Sequence, residues 1–142
     1  VLKKRYEQMQ SEYAHASKLR NMLFEYLHKI DGVSPFPQQR AARPESDFSP
    51  YIIALSVAPV PGEICARVLN DRGYAVGTGS ACSSNRKKKR GRVIYTMTSD
   101  EETARGIIRV SFGPTTTGQE IEMFTRTLQQ ELTLLRKTVR KG

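Results

Sequence analysis

The chain has 142 residues, 38% of them hydrophobic and 26% charged, with a formal net charge of +9. That length builds one domain with a sizeable core, and no apolar run approaches the roughly 18 residues of a membrane span. Two cysteines, one among apolar neighbours and one among small polar ones, make no disulfide framework and fit a reducing, cytoplasmic setting.

No signal-peptide pattern opens the chain, since Leu2-Lys3-Lys4-Arg5-Tyr6 leads directly into a charged helix. A start at Val1 without a methionine is expected of a piece of something longer. From Leu2 to about Ile30, apolar or aromatic residues recur mostly at three and four positions through Tyr6, Met9, Tyr13, Ala16, Leu19, Leu23, Tyr26, Leu27 and Ile30. This predicts a long amphipathic helix with one buried stripe, stopped at Asp31-Gly32. Val33 to Pro50 carries four prolines and is too long for an ordinary connection, so it predicts a short strand near Val33–Phe36 and a mobile remainder. Tyr51–Val57 reads as a buried strand.

Pro61-Gly62-Glu63 opens a second helix to about Arg72, with Ile64, Val68 and Leu69 on one face and Gly73 as its stop. Tyr74-Ala75-Val76 is then a short strand, and Val93–Met97 is open between strand and helical turn. Thr103–Arg105 suggests another helical turn before a strand over Ile107–Phe112. Thr117 and Glu120 form a capping box for a last helix that carries Ile121, Phe124, Leu128, Leu132, Leu135 and Val139 on one face. Basic residues in its final turns suit the negative end of the helix dipole. The fold class is α+β: a short sheet covered on one face, with long first and last helices.

The candidate chemistry centres on Gly77-Thr78-Gly79-Ser80-Ala81-Cys82-Ser83-Ser84, which sets a thiol among small polar residues. Six basic residues follow between Arg86 and Arg92 and carry most of the net charge. Such a field favours the thiolate, the nucleophilic form; the alternative is a small residue in a tight turn. The basic run itself reads as a solvated loop, a localisation signal, or a phosphate-contacting patch for nucleic acid such as tRNA. No aromatic residue interleaves it, which argues against base stacking. Cys65, within Ile64-Cys65-Ala66, reads as core. Arg109 sits in the apolar run Ile107-Ile108-Arg109-Val110 and is either a ligand for an anion or half of a salt bridge with a buried acid. His15 and His28, thirteen residues apart with no cysteine nearby, read as surface or boundary residues, and no metal set is expected.

Gly79-Ser80-Ala81-Cys82-Ser83-Ser84 resembles the active-site loop of the cysteine desulfurases, pyridoxal-phosphate (PLP) enzymes of the class V aminotransferase superfamily. Ile52–Ser56 with Val60-Pro61-Gly62-Glu63, Ile108-Arg109-Val110-Ser111-Phe112-Gly113, and the capped Thr115–Glu122 resemble the family's flanking segments in the same order. The resemblance covers roughly residues 1–140, but only the C-terminal part of such an enzyme. It implies a single small C-terminal domain over 1–142 that lacks the PLP-binding large domain, and a homodimer for the full enzyme. It assigns Cys82 to attack on the sulfur of L-cysteine, giving L-alanine and a persulfide for acceptor proteins such as those of iron–sulfur cluster assembly; a close relative acting on selenocysteine fits the same resemblance. It assigns Arg109 to the substrate carboxylate. None of the nine lysines stands in the family's His-Lys setting, so PLP would be held by the absent domain and the chain alone is expected to be inactive. The family usually carries a more neutral segment after the cysteine, so the basic run is a departure. The competing reading is a basic domain that binds nucleic acid or protein and catalyses nothing.

Overall fold

The structure is a computed structural model that describes residues 2–78 and 98–141. Cys82, Ser80, Ser83, the basic run Arg86–Arg92 and Val93–Met97 lie outside the described residues.

Helix α1 runs from Leu2 to Leu27, and its three-and-four spacing is used in two ways. The second half buries Ala16, Leu19, Leu23 and Leu27, while Leu2, Tyr6, Met9 and Tyr13 stand exposed, Leu2 at 85%. One buried stripe along the whole helix is therefore corrected: the described elements give the N-terminal half nothing to pack on. A turn follows, in which Ile30 is buried and Gly32 adopts φ 75, a left-handed conformation that costs a residue without Cβ little.

Strand β1 (Ser34–Phe36) comes next and pairs with β2 (Ile52–Ser56). The stretch between them is built rather than mobile. Two 3-10 turns, Gln38–Ala42 and Glu45–Asp47, are fastened by Arg40, which is only 5% exposed. Its guanidinium lies between the rings of Phe24 (5.0 Å) and Phe48 (4.5 Å) and donates to Glu45 through Nε (3.1 Å) and Nη2 (2.7 Å). Arg20, also buried, stands 3.5 Å from the same carboxylate.

The Arg40 hydrogen bond, with the charges of Arg40 and Arg20, outweighs burial and holds the Glu45 carboxyl below its ordinary value of 4.5. The unfolded chain then binds this proton more readily than the folded one. The stability the group contributes is present above about pH 4.5 and is lost as the pH falls through the lower folded value. We expect Glu45→Gln to cost about 1–2 kcal/mol at neutral pH, a figure reduced because Glu45 is 38% exposed. The cost should shrink as both proteins are acidified, and urea midpoints across the acid range would show it. Equal midpoints at neutral pH would mean that this ion pair does not hold the proline-rich stretch.

Helix α2 (Gly62–Asp71) buries Cys65, Ala66 and Leu69, while Ile64 is exposed, so the face expected from Ile64, Val68 and Leu69 is rotated. The cause is Gly62. A Cβ there would fall on the backbone carbonyl of Ile107, 3.0 Å from its carbon, so the first turn sits against the start of the next-but-one strand. Gly73 (φ 93) ends the turn after α2, and β3 follows at Val76–Thr78, two residues later than Tyr74–Val76. A short α3 (Glu101–Arg105), with the Asp100 side chain accepting from the Glu102 N–H, precedes β4 (Ile107–Ser111). Helix α4 (Gly118–Lys141) closes the fold. The expected capping box is present: Glu120 N–H donates to Thr117 Oγ1 (3.2 Å) and Thr117 N–H to Glu120 Oε2 (3.0 Å).

The four strands form one antiparallel sheet in the order β1-β2-β4-β3. Ile53, Leu55, Ile108 and Val110 point from one face into a core completed by Leu19 and Leu23 of α1, Leu69 of α2, and Phe124, Leu128 and Leu132 of α4. On the opposite face Ile52, Arg109 and Ser111 are exposed. This is the α+β architecture read from the sequence, with the sheet covered by helices on one side. Among the described residues no helix is long and apolar enough to cross a membrane.

Candidate functional site

Arg109 occupies the middle of β4, a central strand whose side chains alternate between core and open face. It falls on the open side. The registers place Phe36, Ala54, Arg109 and Gly77 in one row across the sheet. Arg109 Nη2 donates to the carbonyl oxygen of Thr78 at 2.9 Å. Among the described residues no carboxylate lies within ion-pair distance of Arg109, so the alternative of a salt bridge with a buried acid is not what they contain. An arginine fits an apolar-looking strand here because only one face of that strand is buried.

Thr78 is the last residue of β3, four positions ahead of Cys82. Cys82 itself is outside the described residues. The start of β3 is pinned separately. The Asn70 side chain donates to the carbonyls of Ala66 (2.8 Å) and Val76 (3.1 Å) and accepts from the Val76 N–H (3.2 Å). Sequence reading takes Gly77 and Thr78 as part of the cysteine loop rather than as a strand and passes over Asn70; an asparagine in the last turn of a helix, three residues before a glycine, is the available signal for the latter.

The other candidates are structural. Cys65 is fully buried, and burial first, then the nearby Glu131 carboxylate, pushes its thiol up to about 12. Glu131, itself buried, takes Arg72 Nη2 at 2.6 Å and so joins α2 to α4. His15 Nε2 lies 2.7 Å from the Thr116 carbonyl oxygen, which can only accept, so the ring donates and ties α1 to the turn before α4. His28 is exposed. Among the described residues no three His, Cys, Asp or Glu side chains gather as a metal set would.

A sequence model of the class-V aminotransferases matches residues 4–124. The chain belongs to the class-V aminotransferase family. Among its relatives, the cysteine desulfurase IscS of Vibrio campbellii is 33% identical over 130 residues, which cover 92% of this chain and 30% of that protein. IscS of Vibrio cholerae is 34% identical over 116 residues, covering 82% and 26%. A NifS-like protein of known structure superposes with a TM-score of 0.71 at 22% identity over 92% of this chain and 30% of its own. The NifS-like protein of Rickettsia africae gives 0.70 at 21% identity over 91% and 31%. These two establish the fold. The chain spans less than a third of the length of these class-V relatives. The matches favour an enzyme-derived segment over a non-catalytic basic domain.

Enzymes of this family work with PLP, which requires a lysine in a sheltered cradle. Lys3, Lys4, Lys18, Lys29 and Lys137 are all exposed. The described residues do not fit the cofactor, and no step through it is derived from them.

Proposed function

We propose that this chain is the C-terminal part of a cysteine desulfurase in which Cys82 takes sulfur from L-cysteine. The observation that carries the reading is the juxtaposition at β3 and β4, within a chain a third identical to cysteine desulfurases. Arg109 offers a guanidinium on an open face and is bonded to the carbonyl of Thr78, which precedes Cys82 by four residues in sequence. A guanidinium grips a carboxylate through two parallel hydrogen bonds, which would orient an amino acid by its carboxylate end.

In this reading the Cys82 thiolate attacks the sulfur of the bound cysteine. A sulfur–sulfur bond forms and the carbon–sulfur bond breaks, leaving L-alanine and a persulfide on Cys82. Atoms and electrons balance without an added oxidant, because alanine is cysteine less one sulfur atom. PLP would be held by residues of the remainder of the enzyme and would supply an electron sink there. The persulfide then passes its outer sulfur to an acceptor protein, in iron–sulfur cluster assembly for instance, in a cytoplasmic setting that keeps thiols reduced. The exposed Leu2, Tyr6, Met9 and Tyr13, continued by Tyr51 (6.3 Å from the Tyr13 ring) and Ile52, form the face on which that remainder packs.

The test is to produce the chain together with its upstream coding region and supply L-cysteine. The expected result is released alanine and a one-sulfur mass increase on the peptide containing Cys82, with neither from the 142-residue chain alone. Alanine release by the isolated chain, or turnover without sulfur on Cys82, would overturn the proposal.

A further inference from the structure

A cavity of about 380 Å³ opens between the last turns of α1 and the chain that runs from Val33 through the first 3-10 turn. That volume is in the range of small-molecule sites. None of its lining residues belongs to β3 or β4, which carry Arg109 and its partner Thr78. Phe24 and Leu27 on the helix side, with Val33 and Pro37 opposite, make most of the wall apolar, while His28 and Gln38 stand exposed at its rim.

Within this apolar wall lies a guanidinium. Arg40 is part of the lining, only 5% exposed, and stacked between the rings of Phe24 and Phe48. Of its five N–H groups, which share a rigid plane, Glu45 takes one from Nε and one from Nη2. The second Nη2 N–H and the nearer Nη1 N–H point in parallel from the adjacent edge, a second fork of the kind that holds a carboxylate. Among the described residues no acceptor meets that edge. Nor is it sealed in. No buried side-chain nitrogen or oxygen of the described residues lacks a partner, so the free Nη1 reaches open space, which the cavity supplies.

The charge balance points the same way. Arg20 and Arg40, both buried, stand 3.5 and 2.7 Å from the one carboxylate of Glu45. The group carries one positive charge more than negative, and an uncompensated charge away from water is costly. A bound anion would offset it.

We propose that this cavity binds a small carboxylic acid with a compact apolar body, its carboxylate on the Nη1–Nη2 edge of Arg40 and its body against Phe24, Leu27 and Val33. A carboxylate suits the seat better than a phosphate. It is planar, meets two parallel N–H groups with two oxygens, and leaves no third oxygen against the apolar wall. Two rings and Glu45 already hold the guanidinium, so the seat is formed before the ligand arrives, which lowers the ordering cost of binding.

Benzoate and benzamide serve as probes, alike in shape and different in charge. Hydrogen exchange over residues 38–47, the stretch that Arg40 fastens, is followed with each probe on the 142-residue chain and on the longer enzyme. Benzoate at millimolar concentration should slow it, as a ligand that binds only the folded stretch must. Benzamide should need about tenfold more, the worth of one hydrogen bond to a charged group. Ala41→Phe fills the cavity from the turn and keeps both members of the Arg40–Glu45 pair. It should abolish the benzoate effect while exchange without ligand stays as in wild type. Should Ala41→Phe itself loosen the turns, Val33→Phe fills the cavity from the other wall.

No slowing by benzoate, or equal action of the two probes, would remove the carboxylate seat. A benzoate effect that survives the filled cavity would place the binding elsewhere, at Arg109 for instance, and would overturn the proposal equally. Slowing in the 142-residue chain that is lost in the longer enzyme would mean that the rest of that enzyme occupies the cavity, and the small-molecule ligand would fall.

Discussion

Cys82→Ser, made in the longer enzyme, is expected to abolish sulfur transfer outright while leaving cofactor loading unchanged. A cysteine thiol ionises near pH 8.5, and lower beside cations, so a useful fraction is thiolate at neutral pH. Six basic residues follow within ten positions. A serine hydroxyl forms no comparable anion there, and its oxygen cannot carry a persulfide. The described residues of this chain offer no replacement, since Cys65 is fully buried on the inner face of α2 and its thiol stays protonated. The loss should therefore be complete rather than partial. It is read as absence of both alanine and labelled persulfide, with the cofactor's absorbance retained. Residual turnover at even a few per cent of wild type would point to a different nucleophile.

Gly62→Ala should be the most damaging small substitution in the described fold. A Cβ there meets backbone on every near side: the Ile107 carbonyl, with its carbon at 3.0 Å, and the Arg105 carbonyl oxygen at 3.2 Å. No flexible side chain can swing away, so α2 must lift from β4 or tilt. Overpacking of this kind costs about 1–3 kcal/mol, and contact with backbone places this case at the upper end. A domain whose whole stability is about 5–15 kcal/mol would show that plainly as a lowered urea midpoint. A midpoint equal to wild type would mean that helix and strand are less closely apposed than described.

Much of the fold was legible because the relevant signals are local. The Thr117–Glu120 box, the stripe from Ile121 to Leu132, and the strands around Ile53 and Ile108 all follow from spacing and side-chain chemistry within a few residues. What was misread depends on distant partners. Apolar spacing in Tyr6, Met9 and Tyr13 predicts a buried face but cannot say against what. The rotated face of α2 follows from the approach of Gly62 to Ile107, forty-five residues away in sequence. Strand β3 was placed two residues early because Tyr74 and Ala75 look no worse than Gly77 and Thr78; pairing with Val110, Arg109 and Ile108 decides the matter. The proline-rich stretch looked unstructured because Phe24, one of the two rings that clamp Arg40, belongs to α1. At the site, an arginine among isoleucines was a visible anomaly. Its tie to a carbonyl thirty-one residues away was not, since backbone acceptors leave no mark in a sequence.

The hydrogen bond from His15 to the Thr116 carbonyl joins residues 101 positions apart, and the link from Arg136 to the Asp31 carbonyl spans 105. Both ends of the chain are thus needed for one layer of the fold. On a ribosome adding about 5–20 residues per second, α1 waits roughly 5–20 s between its own appearance and that of the helix that covers Leu19, Leu23 and Leu27. During that interval its inner stripe is as bare as its outer one. A message cut short before α4 would release a chain that can make α1, α2 and the strands yet leaves Leu19, Leu23 and Leu27 without the last helix packed in the same core. Such products, with apolar surface left bare, should be captured by chaperones or degraded.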